Sequence, residues 1–72
     1  MSLPSQTRWR ELVRKLQALE WEGPLYGTKH PFMLKGKRKL HIPNPHDDPI
    51  YIPLLRKILR QAEITNDEWD SA

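Results

Sequence analysis

Apolar residues recur at a helical interval twice along this chain, and between the two runs the interval becomes that of a strand. Trp9, Leu12, Val13, Leu16 and Leu19 fall on one helical face, while Arg8, Glu11, Arg14, Lys15 and Gln17 take the other. Ile52, Leu54, Leu55, Ile58, Leu59 and Ala62 repeat the pattern, with Arg56, Lys57 and Arg60 outside. Two helices with one apolar face each need a shared surface to cover, and the strand-like middle supplies it. The spacing predicts a first helix over about residues 7–20, with Ser5 or Thr7 as N-cap and an i,i+4 pair between Glu11 and Lys15. A second helix is expected over about residues 52–62, with Pro53 in its first turn, where no N–H is needed.

Strands are expected over about residues 21–26, 31–35 and 39–43, with Gly36-Lys37 as the turn between the last two. Alternation puts Phe32 and Leu34 on one face and Leu40 and Ile42 on one face, so the hairpin is expected to bury these four together. Pro43 and Pro45 lack the donor a ladder needs, so the third strand stops there and a loop follows to about Pro49. Thr65 with Glu68 three residues on has capping-box spacing, which predicts a last short turn carrying Trp69 back onto the body. The rest of residues 63–72 reads as a solvated acidic tail. The fold class is α+β, in the order α-β-β-β-α, a three-stranded antiparallel sheet backed by two helices. A chain of 72 residues builds one core, so residues 1–72 are expected to form a single domain.

Composition narrows the chemistry. Zero cysteines rule out a disulfide frame, a thiolate metal site and a cysteine nucleophile, which suits a reducing compartment. The longest apolar stretch is far short of a membrane helix and no secretory pattern opens the chain, so a soluble cytoplasmic protein without a membrane partner is expected. Three glycines at positions 23, 27 and 36 match no phosphate-cradling motif, so no nucleotide cofactor is implied. Ser2, Ser5 and Ser71 lie near the chain ends without a nucleophile elbow. His46-Asp47-Asp48, with His41 upstream, gathers ligand types at a spacing of no common metal site, so no metal is expected. Asp47 and Asp48 are expected instead to face the positive end of the helix that follows them.

Net charge is +3, from twelve Lys and Arg against nine Asp and Glu, and it is unevenly placed. Between Gly27 and Ile42 stand Lys29, Lys35, Lys37, Arg38 and Lys39 with His30 and His41, and no carboxylate. Such a segment favours a polyanion. Within it, Gly27-Thr28-Lys29-His30 precedes the second strand. An imidazole can take a proton from a ribose 2′-OH or give one to a leaving 5′-oxygen, and RNA brings its own nucleophile. Cleavage then needs proton transfer, in-line placement and cations against the growing phosphoryl charge. Lys29, Lys37, Arg38 and Lys39 are the candidate phosphate contacts, Lys35 belongs to the same segment, and Thr28 is a candidate for orienting the backbone. Alternation sets His41 opposite Leu40 and Ile42 while His30 shares parity with Phe32, so the two histidines are expected on different faces. One histidine, or water, would then perform the second transfer. Two other readings fit the same pattern: a non-catalytic RNA-binding module in which the basic hairpin grips phosphates and His30 only packs, and an interaction domain meeting an acidic protein.

Gly27-Thr28-Lys29-His30, the apolar strand after it, the basic turn, Ile42-Pro43, the His-bearing loop and Leu54-Leu55-Arg56-Lys57-Ile58-Leu59-Arg60-Gln61-Ala62 together resemble the HicA toxins. The resemblance includes the Trp9 helix and the Leu19-Glu20-Trp21 passage into the first strand. It implies a fold like that of double-stranded-RNA-binding domains and the toxin of a type II toxin-antitoxin system. It further implies ribosome-independent cleavage of messenger RNA, growth inhibition, and neutralisation by a HicB-like antitoxin. The family's catalytic histidine falls on His30, and Gly27, Thr28 and Lys29 fall beside it. Glu20 and Glu63 stand where the family often has glycine, just after each helix. Tyr51-Ile52-Pro53 lacks the lysines with which duplex binders grip phosphates, so single-stranded RNA is the expected substrate.

Overall fold

The computed structural model describes residues 6–27 and 29–72; Ser5 and Thr28, both named above, lie outside them. In chain order the elements are β1 (Gln6–Thr7), α1 (Trp9–Ala18), β2 (Glu22–Tyr26), β3 (Pro31–Lys35), β4 (Arg38–His41), β5 (Ile50–Tyr51), α2 (Ile52–Ala62) and α3 (Asn66–Ser71). A 3-10 turn covers Pro45–Asp47. Strands β2, β3 and β4 make a three-stranded antiparallel sheet in that order, and β1 pairs with β5 in a separate antiparallel ladder. The chain is therefore α+β, as its alternating periods predict. The β1–β5 ladder has two residues a side, too few to show a period.

The N-terminus of α1 is closed by a residue far away in sequence. Trp9 N–H donates to Asp48 Oδ1 at 2.8 Å, and Arg8 Nη1 donates to Asp48 Oδ2 at 3.3 Å. An ionised oxygen on an unpaired first-turn N–H offsets both the missing hydrogen bond and the helix dipole. This corrects two expectations. Thr7 is not the cap but lies buried in β1 opposite Ile50, and Asp48 serves the helix before it rather than the one after. Glu11 pairs with Arg14 rather than Lys15, whose ammonium donates to the Trp69 carbonyl at 2.8 Å.

Both long helices end in the same way. Trp21 N–H bonds back to Leu16 O and Glu20 N–H to Gln17 O, at 2.9 and 3.0 Å; Ile64 and Glu63 repeat this on Leu59 and Arg60 at 2.9 and 3.1 Å. These paired bonds form when the residue after the helix is left-handed. Glu20 has φ +74° and Glu63 φ +58°, so glutamates occupy the conformation that glycine adopts without cost. Glu20→Gly should therefore raise stability by about 1 kcal/mol, or about 4–8 °C in thermal midpoint for a domain this size. A lower midpoint would show that the Glu20 side chain contributes more than its backbone costs.

The core lies between the helices and one face of the sheet. Leu12, Val13 and Leu16 of α1 and Leu55, Ile58, Leu59 and Ala62 of α2 close on Trp21, Met33, Leu40, Ile42, Ile50 and Trp69. Met33, not Phe32 or Leu34, is the β3 residue at its centre, fully buried opposite Leu40. The expectation that Phe32 and Leu34 would join Leu40 and Ile42 is thus corrected. Pro31, Phe32, Met33 and Leu34 are all apolar, so β3 has no alternation to declare its inward side. Cross-strand register settles it.

The last short turn expected from Thr65 and Glu68 is present as α3, with the acidic side chains of Asp67 and Glu68 exposed. Thr65 Oγ1 accepts from Glu68 N–H at 3.1 Å while Glu68 Oε1 accepts from Thr65 N–H at 2.9 Å, a complete capping box. This turn carries Trp69 into the core. The Thr65 backbone N–H holds the Glu68 carboxyl below its ordinary value, with the Thr65 hydroxyl and the charge of Lys35 acting the same way. A carboxyl lowered on folding adds stability that is complete above its unfolded value and is lost as pH falls through its folded one. Acidification should loosen α3, seen as movement of the Trp69 indole resonance, and Glu68→Gln should weaken that response. An identical acid response in the variant would remove Glu68 from the account.

Candidate nucleic-acid interface and histidine cleft

Strand register decides which side chains meet. In the β3–β4 ladder Phe32 faces His41 and Met33 faces Leu40, so Phe32 and His41 share the sheet face turned away from the core. Their rings lie 6.4 Å apart at 57°. His30, two residues before Phe32, comes to the same side. Both histidines line one cleft of about 240 Å³ with Gly27, Lys29, Phe32 and Lys39. Both also border a second cleft of about 390 Å³ that runs to α2 past Pro43, Leu54, Lys57 and Gln61. The expected separation of the histidines is therefore corrected: it followed from assigning Phe32 to the core.

His30 is exposed but held. Its Nδ1 lies 3.1 Å from Asn44 Nδ2, and Nε2 has no hydrogen-bond partner among the described residues. An amide matches either state of that nitrogen, since Nδ2–H donates to a bare Nδ1 and, with the amide turned over, Oδ1 accepts from Nδ1–H. In the sequence nothing but its position between Pro43 and Pro45 marks Asn44. The adjacent Pro43 carbonyl accepts from Trp9 Nε1 at 2.6 Å, fixing this loop to α1. Gly27 lies against Phe32: a Cβ there would stand 3.3 Å from Phe32 Cε1.

The basic segment divides between two destinations. Lys29 and Lys39 line the histidine cleft, and Lys39 Nζ sits 4.2 Å from the Phe32 ring centroid, a cation–π contact that holds the ammonium over the outer face. Arg38 turns the other way. Its Nη2 donates to Gln61 O at 2.9 Å and meets Glu63 Oε2 at 3.0 Å, with the guanidinium 5.7 Å from the Trp21 ring. Lys35, opposite Arg38 in the ladder, lends its charge to Glu68, and Lys37 lies exposed in the turn between the strands. The five cations of this acid-free segment thus place two at the histidines, two at the ends of α2 and α3 and one in the turn. No group of three or more His, Asp or Glu is gathered as for a metal among the described residues, and Asp48 is engaged by α1. No helix among them is long and apolar enough to cross a membrane.

Fold and cleft together define a small α+β protein with His30, His41, Lys29 and Lys39 gathered on the side of the sheet away from the core. Residues 9–64 match the family described as HicA toxin of bacterial toxin-antitoxin, and the chain belongs to that family. No curated protein and no solved structure matches it. Helix α3 lies beyond the matched residues.

Proposed function

We propose that this toxin-family protein is a metal-independent endoribonuclease that cuts single-stranded messenger RNA without the ribosome, so that its action stops translation and growth. His30 acts as general acid–base, with its Nε2 toward the scissile phosphate. Lys29 and Lys39 oppose the charge that builds on the phosphoryl oxygens, and Gly27 lets the RNA backbone approach Phe32. Thr28, beside them in sequence, is assigned to orienting the loop. Among the other candidate contacts, Lys37 extends the positive surface along the hairpin, whereas Lys35 and Arg38 secure the hairpin to the helices. A HicB-like antitoxin in the same cytoplasm is the expected partner. The observation that carries this reading is one cleft holding His30, Lys29 and Lys39 without a carboxylate, in a member of the HicA family.

The chemistry asks little of the protein beyond that. The 2′-OH supplies the nucleophile, so the enzyme has to place the phosphate in line, move protons and stabilise charge. Purified protein and its His30→Ala variant, each incubated with a long unstructured RNA in excess EDTA, provide the test. Fragments from the wild type alone support the assignment; RNA bound but uncut by both would point to a binding module instead.

A further inference from the structure

We infer that His41 is the second proton-transfer group of this cleft, so that RNA is cut by a pair of imidazoles rather than by His30 alone. The inference rests on the ribonuclease reading above and adds the partner that such a reaction requires.

Three observations place His41 there. The ladder sets it opposite Phe32 on the outer sheet face, and its ring packs at an angle on Phe32. His30 and His41 are the two residues that line both clefts, so both rings flank the same part of the surface. His30 is fixed through Nδ1 by Asn44 from the loop, while His41 is carried by a strand, so the two rings approach from different elements. The charged groups facing the pair are Lys29, Lys39 and, from α2, Lys57; among the described residues no carboxylate lines either cleft. With no acid to share the work among the described residues, the two imidazoles are the lining side chains with a ring nitrogen able to take a proton and one able to give it.

The step balances without a cofactor. As the O2′–P bond forms, one neutral ring takes the 2′-OH proton. As the P–O5′ bond breaks, the other ring, protonated, gives its proton to the departing oxygen. The products are a 2′,3′-cyclic phosphate and a 5′-hydroxyl. The rings end with protonation states exchanged, and solvent restores them. The Lys29 and Lys39 ammonium groups oppose charge on the non-bridging oxygens throughout.

The test uses the full chain and a DNA oligonucleotide bearing one ribonucleotide, cleaved in excess EDTA across the pH range. A second substrate differs only in having sulfur in place of the departing 5′-oxygen, a leaving group that needs no proton. Wild type should give a bell-shaped kcat/KM profile on the oxygen substrate, because one ring must be bare and the other protonated. His41→Ala should lower the rate by about 10²–10⁴-fold and leave only one limb of the bell. His41→Gln, which keeps a planar polar group against Phe32, should lose as much, so lost packing does not account for the effect. The sulfur substrate should restore one of His30→Ala and His41→Ala and not the other, identifying the acid. A folded His41→Ala protein that retains the bell and cuts within threefold of wild type, while His30→Ala is inactive, would overturn the pairing but leave the ribonuclease. A wild type that cuts neither substrate would overturn both.

Discussion

His30→Ala should leave a folded protein that still holds RNA, cuts it about 10²–10⁴-fold more slowly, and no longer arrests growth. The ring's surroundings account for all three effects. The ring is exposed and, among the described residues, meets only Asn44, so its removal should change stability by no more than about 0.5 kcal/mol. Lys39 remains over Phe32 and Lys29 on the wall of the cleft, so salt-sensitive binding should persist. Only the proton transfer goes. Gel analysis of cleavage, a binding isotherm at two salt concentrations and a thermal melt on the same preparation separate the three quantities. Unchanged cleavage by the folded variant would remove the imidazole from the chemistry, and lost binding with an intact fold would make His30 a contact rather than a catalyst.

The helices were legible in the sequence because their apolar residues hold one period against a charged face, and the burial of Leu12, Leu16, Leu55 and Ile58 follows from it. Strand β3 was not legible in the same way. A strand with apolar residues at four consecutive positions does not announce its inner face, and choosing the wrong one moves every neighbour to the wrong side. That single ambiguity hid the meeting of His30 and His41. It also obscured how the basic segment divides: alternation sends Lys39 outward with Phe32, and Arg38 inward with Met33, to the end of α2.

Contacts between distant positions were the other gap. Asp48 was identified as a carboxylate for a helix N-terminus, which it is, but the helix lies 39 residues earlier rather than directly after. Local spacing names the chemistry and leaves the partner open. Asn44 shows the converse, since nothing in its spacing suggests that it meets a ring 14 residues away. Glu20 and Glu63 were the most informative departures. Their left-handed backbones show that the fold keeps the geometry expected of glycine even where glycine is missing.

Trp69→Ala should be the most damaging single change away from the cleft, although Trp69 lies outside the residues that define the family. The side chain is 1% exposed and among the largest fully buried ones, closing the core beside α1. Lys15 covers it from outside, with Nζ 4.8 Å from the ring centroid and bonded to the Trp69 carbonyl at 2.8 Å. Truncating a buried tryptophan costs about 3–5 kcal/mol through lost burial and the cavity left behind. A chain of 72 residues has roughly 4–11 kcal/mol in all, at about 0.05–0.15 kcal/mol per residue. The variant should therefore melt at least about 12 °C lower and, at the weak end of that range, be unfolded at growth temperature. Trp69→Phe, which keeps most of the apolar volume, should fall between the two. Loss of RNA cleavage in Trp69→Ala should track the melt, with activity recovered on cooling, because α3 lines neither histidine cleft. A variant that melts like the wild type would mean that α3 contributes nothing to the core, and the body formed by residues 9–64 would then be stable without it.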